Sequence, residues 1–250
     1  MSKRSLVPPL DIRIGVGPFK NPQLYRTSGK EMVRRLIDLC GLRPSEHILD
    51  IGCGCGRVAA GLTTYLDRTA RYEGFDCEAS WIEWCQQSIT PRFPHFHFQF
   101  VDVVAGAHNP EGKLQGAEFT FPYPADTFDI ALASSVFTHM LPGGVEHYVA
   151  ETARVLKPGG RFLVSHLLFN TEALRAVEEG QTIFDFRYEL GPCRTFDPQT
   201  PEEGVAYEEG YVRALFERNE LYVQGPIHYG TWRNKRSYLI THDWVVVRKG

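Results

Sequence analysis

No stretch of this 250-residue chain approaches the roughly 20 consecutive apolar residues that a bilayer crossing needs. No block of like charge interrupts it either. The formal net charge is −3, which offers no basic surface to a polyanion and makes nucleic acid a poor partner. The opening segment, Met1-Ser-Lys-Arg-Ser-Leu-Val-Pro-Pro, lacks the apolar core of a signal peptide, so a cytoplasmic protein is expected. There are no internal repeats and no low-complexity tracts. Cysteine is sparse and follows no disulfide framework. The six residues are Cys40, Cys53, Cys55, Cys77, Cys85 and Cys193. Cys53 and Cys55 form C-x-C, not the C-x-x-C of redox and zinc sites, and their small size suits a tight turn. No metal is expected.

What is present is an ordinary globular composition, 43% hydrophobic. A chain of this length and composition buries a real core and suits one large α/β domain with elaborated loops. Residues 1–27 read as a Pro- and Gly-rich arm without a clear period. Glu31 to Cys40 reads as an amphipathic helix that begins near Ser28 and stops at Gly41. Strands are expected at 47–51, 72–76, 95–101, 128–133, 161–165, 222–228 and 238–247. Helices are expected at 57–66, 79–88, 145–156 and 208–219. Lys157-Pro-Gly-Gly160 reads as a break. Residues 169–206 are irregular, acidic and aromatic. The alternation predicts a doubly wound, mainly parallel seven-stranded sheet of Rossmann-like type. Its last strand is antiparallel, and ligands bind at the carboxyl ends of the strands.

The most telling segment is Ile48-Leu-Asp-Ile-Gly-Cys-Gly-Cys-Gly-Arg57. An aliphatic strand runs into alternating glycines, where the backbone can approach a ligand with no Cβ in the way. Gly52, Gly54 and Gly56 make G-x-G-x-G behind Asp50, whereas the dinucleotide fingerprint is G-x-G-x-x-G. The next strand ends in Asp76, placed to accept hydrogen bonds from two ribose hydroxyls. The third ends at Asp102. These marks, with Asp126-Thr-Phe-Asp-Ile-Ala-Leu-Ala-Ser134 and Ala153-Arg-Val-Leu-Lys-Pro-Gly-Gly-Arg-Phe-Leu-Val164, resemble the class I S-adenosylmethionine (SAM) methyltransferases. The resemblance is strong over about residues 28–168 and looser beyond.

The resemblance implies SAM as cofactor. It places Asp50, Gly52, Gly54, Gly56, Asp76, Cys77, Asp102, Val103 and Ser134 around it, with Asp102 toward the adenine amino group. The segments Phe121-Pro-Tyr-Pro-Ala-Asp126 and Ser-Val-Phe-Thr-His-Met are similar to family members that act on small molecules and glycans. No Asn/Asp-Pro-Pro-Tyr/Phe motif follows the fourth strand, which argues against nucleobase amino groups. The expected reaction is therefore methyl transfer to a small-molecule acceptor, a sugar or secondary metabolite, at oxygen rather than nitrogen.

An oxygen nucleophile calls for a general base, most often histidine. His139 follows strand four and His166 ends strand five, so both are candidates. Residues 169–206, with the long loop from Val103 to Pro124, are expected to roof the acceptor site. Two rival readings stay open: a catalytically silent SAM-binding regulator, and an NAD-dependent dehydrogenase, which the glycine spacing disfavours.

Overall fold

A computed structural model describes residues 6–106, 108–236 and 242–250. A helical turn α1 (Leu10–Arg13) and a 3-10 turn (Ile14–Val16) lead into α2 (Pro22–Cys40). There follow β1 (Ile48–Ile51), α3 (Arg57–Leu62), β2 (Tyr72–Asp76), α4 (Ala79–Ser88), β3 (Phe96–Phe100), β4 (Phe128–Ala133), a 3-10 turn (Phe137–His139), α5 (Pro142–Val155) and β5 (Leu156–His166). Beyond these lie β6 (Leu168–Phe169), α6 (Thr171–Glu178), β7 (Tyr188–Leu190), β8 (Cys193–Thr195), a 3-10 turn (Pro201–Glu203), β9 (Val205–Glu208), α7 (Glu209–Arg218), β10 (Leu221–Val223) and β11 (Asp243–Lys249).

The main sheet has seven strands in the order β10-β11-β5-β4-β1-β2-β3. β11 runs antiparallel to both of its neighbours, and the other pairings are parallel. The expected architecture forms. Its layering follows from side-chain alternation, because successive strand residues point to opposite faces. Ile130, Leu132, Leu163, Trp244 and Val246 pack with α2, α3 and α4. Their neighbours Ala131, Ala133, Phe162, Val164, Val245 and Val247 pack with α5 and α7 on the other face. Near-continuous apolar runs are what a sheet covered on both faces requires.

The strand expected at 222–228 ends at Val223, the helix expected at 57–66 ends at Leu62, and further elements differ from expectation. Helix α2 begins at Pro22 rather than near Ser28: the Asn21 side chain accepts from the Gln23 N–H, and proline occupies the first turn, where it sacrifices no hydrogen bond. Lys157–Gly160 lies inside β5 as an irregularity at which the register against β4 shifts, with Gly159 at φ +74°. Residues 169–206 are not structureless. Together with Leu168 they supply most of a second sheet, β6-β9-β8-β7, over a small core that includes Phe169, Ala173, Phe186, Ala206 and Trp232. The expected strand at 238–247 is seen from Asp243, and its first residues up to 241 lie outside the described residues.

Candidate active site

The topology brings one set of residues to one edge. β1, β2, β3, β4 and β5 all point their carboxyl ends there, delivering the glycine loop, Asp76, Asp102, Ser134 and His166 in turn. Because β11 is antiparallel, its amino end arrives at the same edge, with Asp243 paired to His166. His242 is therefore carried into the site as well.

The loop after β1 is built from left-handed glycines: Gly52, Gly54 and Gly56 have φ of +67°, +54° and +76°. A Cβ on Gly52 would stand 2.5 Å from Val136 Cγ2, and one on Gly54 2.8 Å from Val16 Cγ1. Only glycine meets both the dihedral and the spacing. Asp50 lies beneath the loop and accepts from the Tyr72 hydroxyl at 2.6 Å. Burial raises its pKa to about 7, with that hydrogen bond pulling the other way.

Asp76 is 7% exposed. Its Oδ2 accepts from the Gly54 N–H at 2.8 Å and its Oδ1 from the Glu78 N–H at 3.1 Å. Burial raises its pKa, which these backbone donors only partly offset. A carboxylate has about four acceptor positions, so this one, which the Cys77 N–H also approaches, keeps acceptor capacity to spare. A buried acid with spare acceptor capacity, beside a bare glycine backbone, fits a ribose diol. Asp102 stands at the next strand end, half-buried, held by Asn109 Nδ2 at 3.3 Å and Lys113 Nζ at 3.3 Å. Val103 is buried, and Cys77 is half-buried, with burial pushing its thiol up to about 12 and so keeping it protonated. The Trp81 ring lies 4.9 Å from that of His108 in the following loop. That loop is core at its far end, where Phe119, Phe121 and Tyr123 are buried, so only its first part borders the site.

Ser134 is half-buried at the end of β4. Ser135 after it has φ +62°, an uncommon conformation for a residue with a Cβ. It is held there by its N–H donating to Ser165 Oγ at 2.7 Å and by a contact of its Oγ with His242 Nδ1 at 3.1 Å. Neither Ser165 nor His242 was evident from the sequence. The signal available was topological: an antiparallel last strand must start at the ligand-binding edge.

The two candidate histidines occupy different surroundings. His139 is exposed, and its Nδ1 lies 3.0 Å from the Glu202 carbonyl oxygen. A carbonyl only accepts, so Nδ1 carries the hydrogen and Nε2 is left with a free lone pair. Desolvation holds the His139 pKa below its ordinary value, and the hydrogen bond to Glu202 opposes this only in part. His166 is 1% exposed and neither of its ring nitrogens has a partner among the described residues. The rings of Phe137, Tyr207 and Phe216 enclose it at centroid distances of 5.4–6.2 Å. Burial pushes its pKa down to about 3. The structure thus presents His139 to solvent and seals His166 in the core.

Sealing has a measurable consequence. The unfolded chain binds a proton at His166 near pH 6.5, whereas the folded chain resists doing so until about pH 3. Stability is therefore complete above about pH 6.5 and falls as the pH drops below it, by roughly 1.4 kcal/mol per pH unit from this residue. His166→Leu removes two unpaired buried nitrogens and is expected to be neutral or stabilising at pH 7.5. Urea unfolding at pH 7.5 and 5.5 should show a shallower acid loss in the variant. Equal acid slopes would place the titration elsewhere.

A methyltransferase-domain family profile matches residues 49–164. That matched segment is a SAM-dependent methyltransferase domain. Among relatives, it is 27% identical over 244 residues to the uncharacterized methyltransferase YcgJ of Bacillus subtilis, covering 90% of this chain and 83% of that protein. It is 28% identical over 160 residues to the O-methyltransferase cnsE of Penicillium expansum, covering 62% of this chain and 51% of cnsE, so the match spans about half of that protein's length. The fold is shared with the crystal structure of Burkholderia thailandensis 1,6-didemethyltoxoflavin-N1-methyltransferase bound to 1,6-didemethyltoxoflavin and S-adenosylhomocysteine. The TM-score there is 0.56, at 17% identity, over 96% of this chain and 84% of that one. SAM is the cofactor of this family, and the glycine loop, Asp76 and Asp102 are the residues of this chain that suit its nucleoside. No helix among the described residues is long and apolar enough to cross a membrane.

Proposed function

We propose that this methyltransferase moves the methyl group of SAM to an oxygen of a small-molecule acceptor. The observation that carries the reading is His139: a neutral imidazole whose Nδ1–H is fixed on the Glu202 carbonyl, leaving Nε2 as a base at the carboxyl edge. SAM, when bound, supplies a methyl carbon made electrophilic by the positive sulfur. The chain's part is to hold the acceptor hydroxyl and accept its proton at Nε2 of His139 as the oxygen–carbon bond forms, while the sulfur–methyl bond would break with its electron pair going to sulfur and S-adenosylhomocysteine leaving. Proton removal matters most for an oxygen nucleophile, which is why the histidine points to oxygen. The partial match to a protein named an O-methyltransferase agrees with this.

Residues 169–206 serve as the lid in this reading. They leave β5 at the carboxyl edge, and their Glu202 is the residue that orients His139. Tyr207, just after them, donates from its hydroxyl to the Met140 carbonyl at 2.6 Å, tying β9 to the segment that follows His139. Closure over the acceptor would exclude water and fix the nucleophile.

Calorimetric titration is expected to show S-adenosylhomocysteine binding and no NAD binding at micromolar strength. Methyl-labelled SAM with a panel of phenols, sugars and amines should label hydroxyl acceptors. NAD binding without a SAM signal would return the dehydrogenase reading. SAM binding with transfer only to amines would sink the assignment to oxygen, and binding without any transfer would favour a silent regulator.

A further inference from the structure

Arg57 follows Gly56 directly and opens α3. Its side chain is half-buried, with Cζ 5.4 Å above the ring of Phe19 from the amino-terminal arm. No ion pair or side-chain hydrogen bond ties the guanidinium to a described residue. The carboxylates that attract it, Asp50 and Glu31, lie beyond ion-pair distance, and Asp50 is already engaged by Tyr72. A second cation, Arg35 on α2, repels it. Arg35 shares this lack of an ion pair among the described residues and is stacked on the Trp244 ring at 4.7 Å, but three other half-buried arginines are answered. Arg154 is bound to Glu151 and two carbonyls, Arg161 to Glu46 and the Cys40 carbonyl, and Arg233 to Asp243 and the Leu168 carbonyl. Taking a charge out of water without a partner is unfavourable, and burial accordingly lowers the Arg57 pKa.

A half-buried guanidinium with no anionic partner beside the glycine loop can receive an anion. Its planar fork matches a carboxylate through two parallel hydrogen bonds. SAM carries one anionic group, the carboxylate of its amino-acid end, while its sulfur is positive and its nucleoside neutral. We propose that Arg57 holds the carboxylate of the cofactor. The proposal rests on the SAM reading above and adds the residue that distinguishes the whole cofactor from its nucleoside part.

The test compares two ligands on ligand-free protein: S-adenosylhomocysteine, which has the carboxylate, and 5′-methylthioadenosine, which lacks the amino-acid end. By calorimetry, Arg57→Met is expected to lose about 10- to 100-fold in affinity for S-adenosylhomocysteine while its affinity for 5′-methylthioadenosine stays within about twofold. Arg57→Lys, which keeps the charge without the fork, should recover part of the loss. The ligand-free Arg57→Met protein should melt no lower than wild type, and about 2–4 °C higher if the unpaired charge is fully relieved. Unchanged binding of S-adenosylhomocysteine would overturn the proposal. So would an equal loss for both ligands with a lowered melting temperature, which is the signature of a residue that only shapes the loop. A wild-type protein that binds neither ligand overturns the cofactor reading, and this inference with it.

Discussion

His139→Ala is expected to lower turnover by about 10²–10⁴-fold while the dissociation constant for S-adenosylhomocysteine stays within about twofold of wild type. The split follows from position. His139 lies beyond β4 and bonds to the Glu202 carbonyl, whereas the residues proposed to hold the nucleoside lie at the ends of β1, β2 and β3. Loss of the imidazole removes the proton acceptor and leaves the cofactor's contacts alone. His139→Gln is the sharper variant. Its amide N–H can still donate to Glu202, but the group cannot take up a proton at neutral pH, so it should be nearly as slow as alanine.

The pH profile adds an independent check. Desolvation lowers the His139 pKa from its ordinary value of about 6.5, so the free base predominates at neutral pH. The ratio kcat/KM should be flat near neutrality and fall only as the pH drops through a value below 6.5. His242, whose pKa burial lowers to about 4, would add a second, more acidic limb if it also touches the acceptor. Full activity in His139→Ala, with no change in the acid limb, would transfer the reaction to positioning alone.

Much of this site can be read along the chain because its parts are local. Asp50 to Gly56 is a strand and turn written in consecutive residues, Asp76 closes the short strand β2, and Asp102 follows β3 by two residues. Those signals need no knowledge of tertiary contacts. The acceptor side is assembled differently. Ser135, Ser165, Glu202 and His242 are separated by tens of residues and meet only after β4, β5 and β11 are laid side by side. The second sheet escaped notice for a related reason. Its strands span two to four residues, too short for any period to show, and their pairing is fixed by contacts with β6 and Trp232 rather than by propensity. His139 and His166 looked equivalent because each follows a strand end. The difference between them is burial, set by Phe137, Tyr207 and Phe216 from three separate segments.

Asp76→Ala is expected to weaken S-adenosylhomocysteine binding by about 10- to 100-fold, the loss of charge-assisted hydrogen bonds totalling roughly 1.5–3 kcal/mol. The geometry adds a second effect. Asp76 also accepts the N–H groups of Gly54 and Glu78, so alanine strands two backbone donors at the base of the site. Each unsatisfied buried donor costs roughly 1–3 kcal/mol, and the variant should lose stability as well as affinity. Asp76→Asn separates the two. Its carbonyl oxygen can keep one backbone donor, which restores part of the stability. Its amide can accept fewer hydroxyl hydrogens than a carboxylate, so affinity should stay low. Urea unfolding and calorimetry on both variants measure the two effects apart. Wild-type affinity should also weaken as the pH falls toward the raised pKa of Asp76, because the protonated acid accepts less well. Unchanged affinity in a folded Asp76→Ala protein would remove this acid from the cofactor site and leave it with one task, holding the Gly54 turn in its left-handed shape.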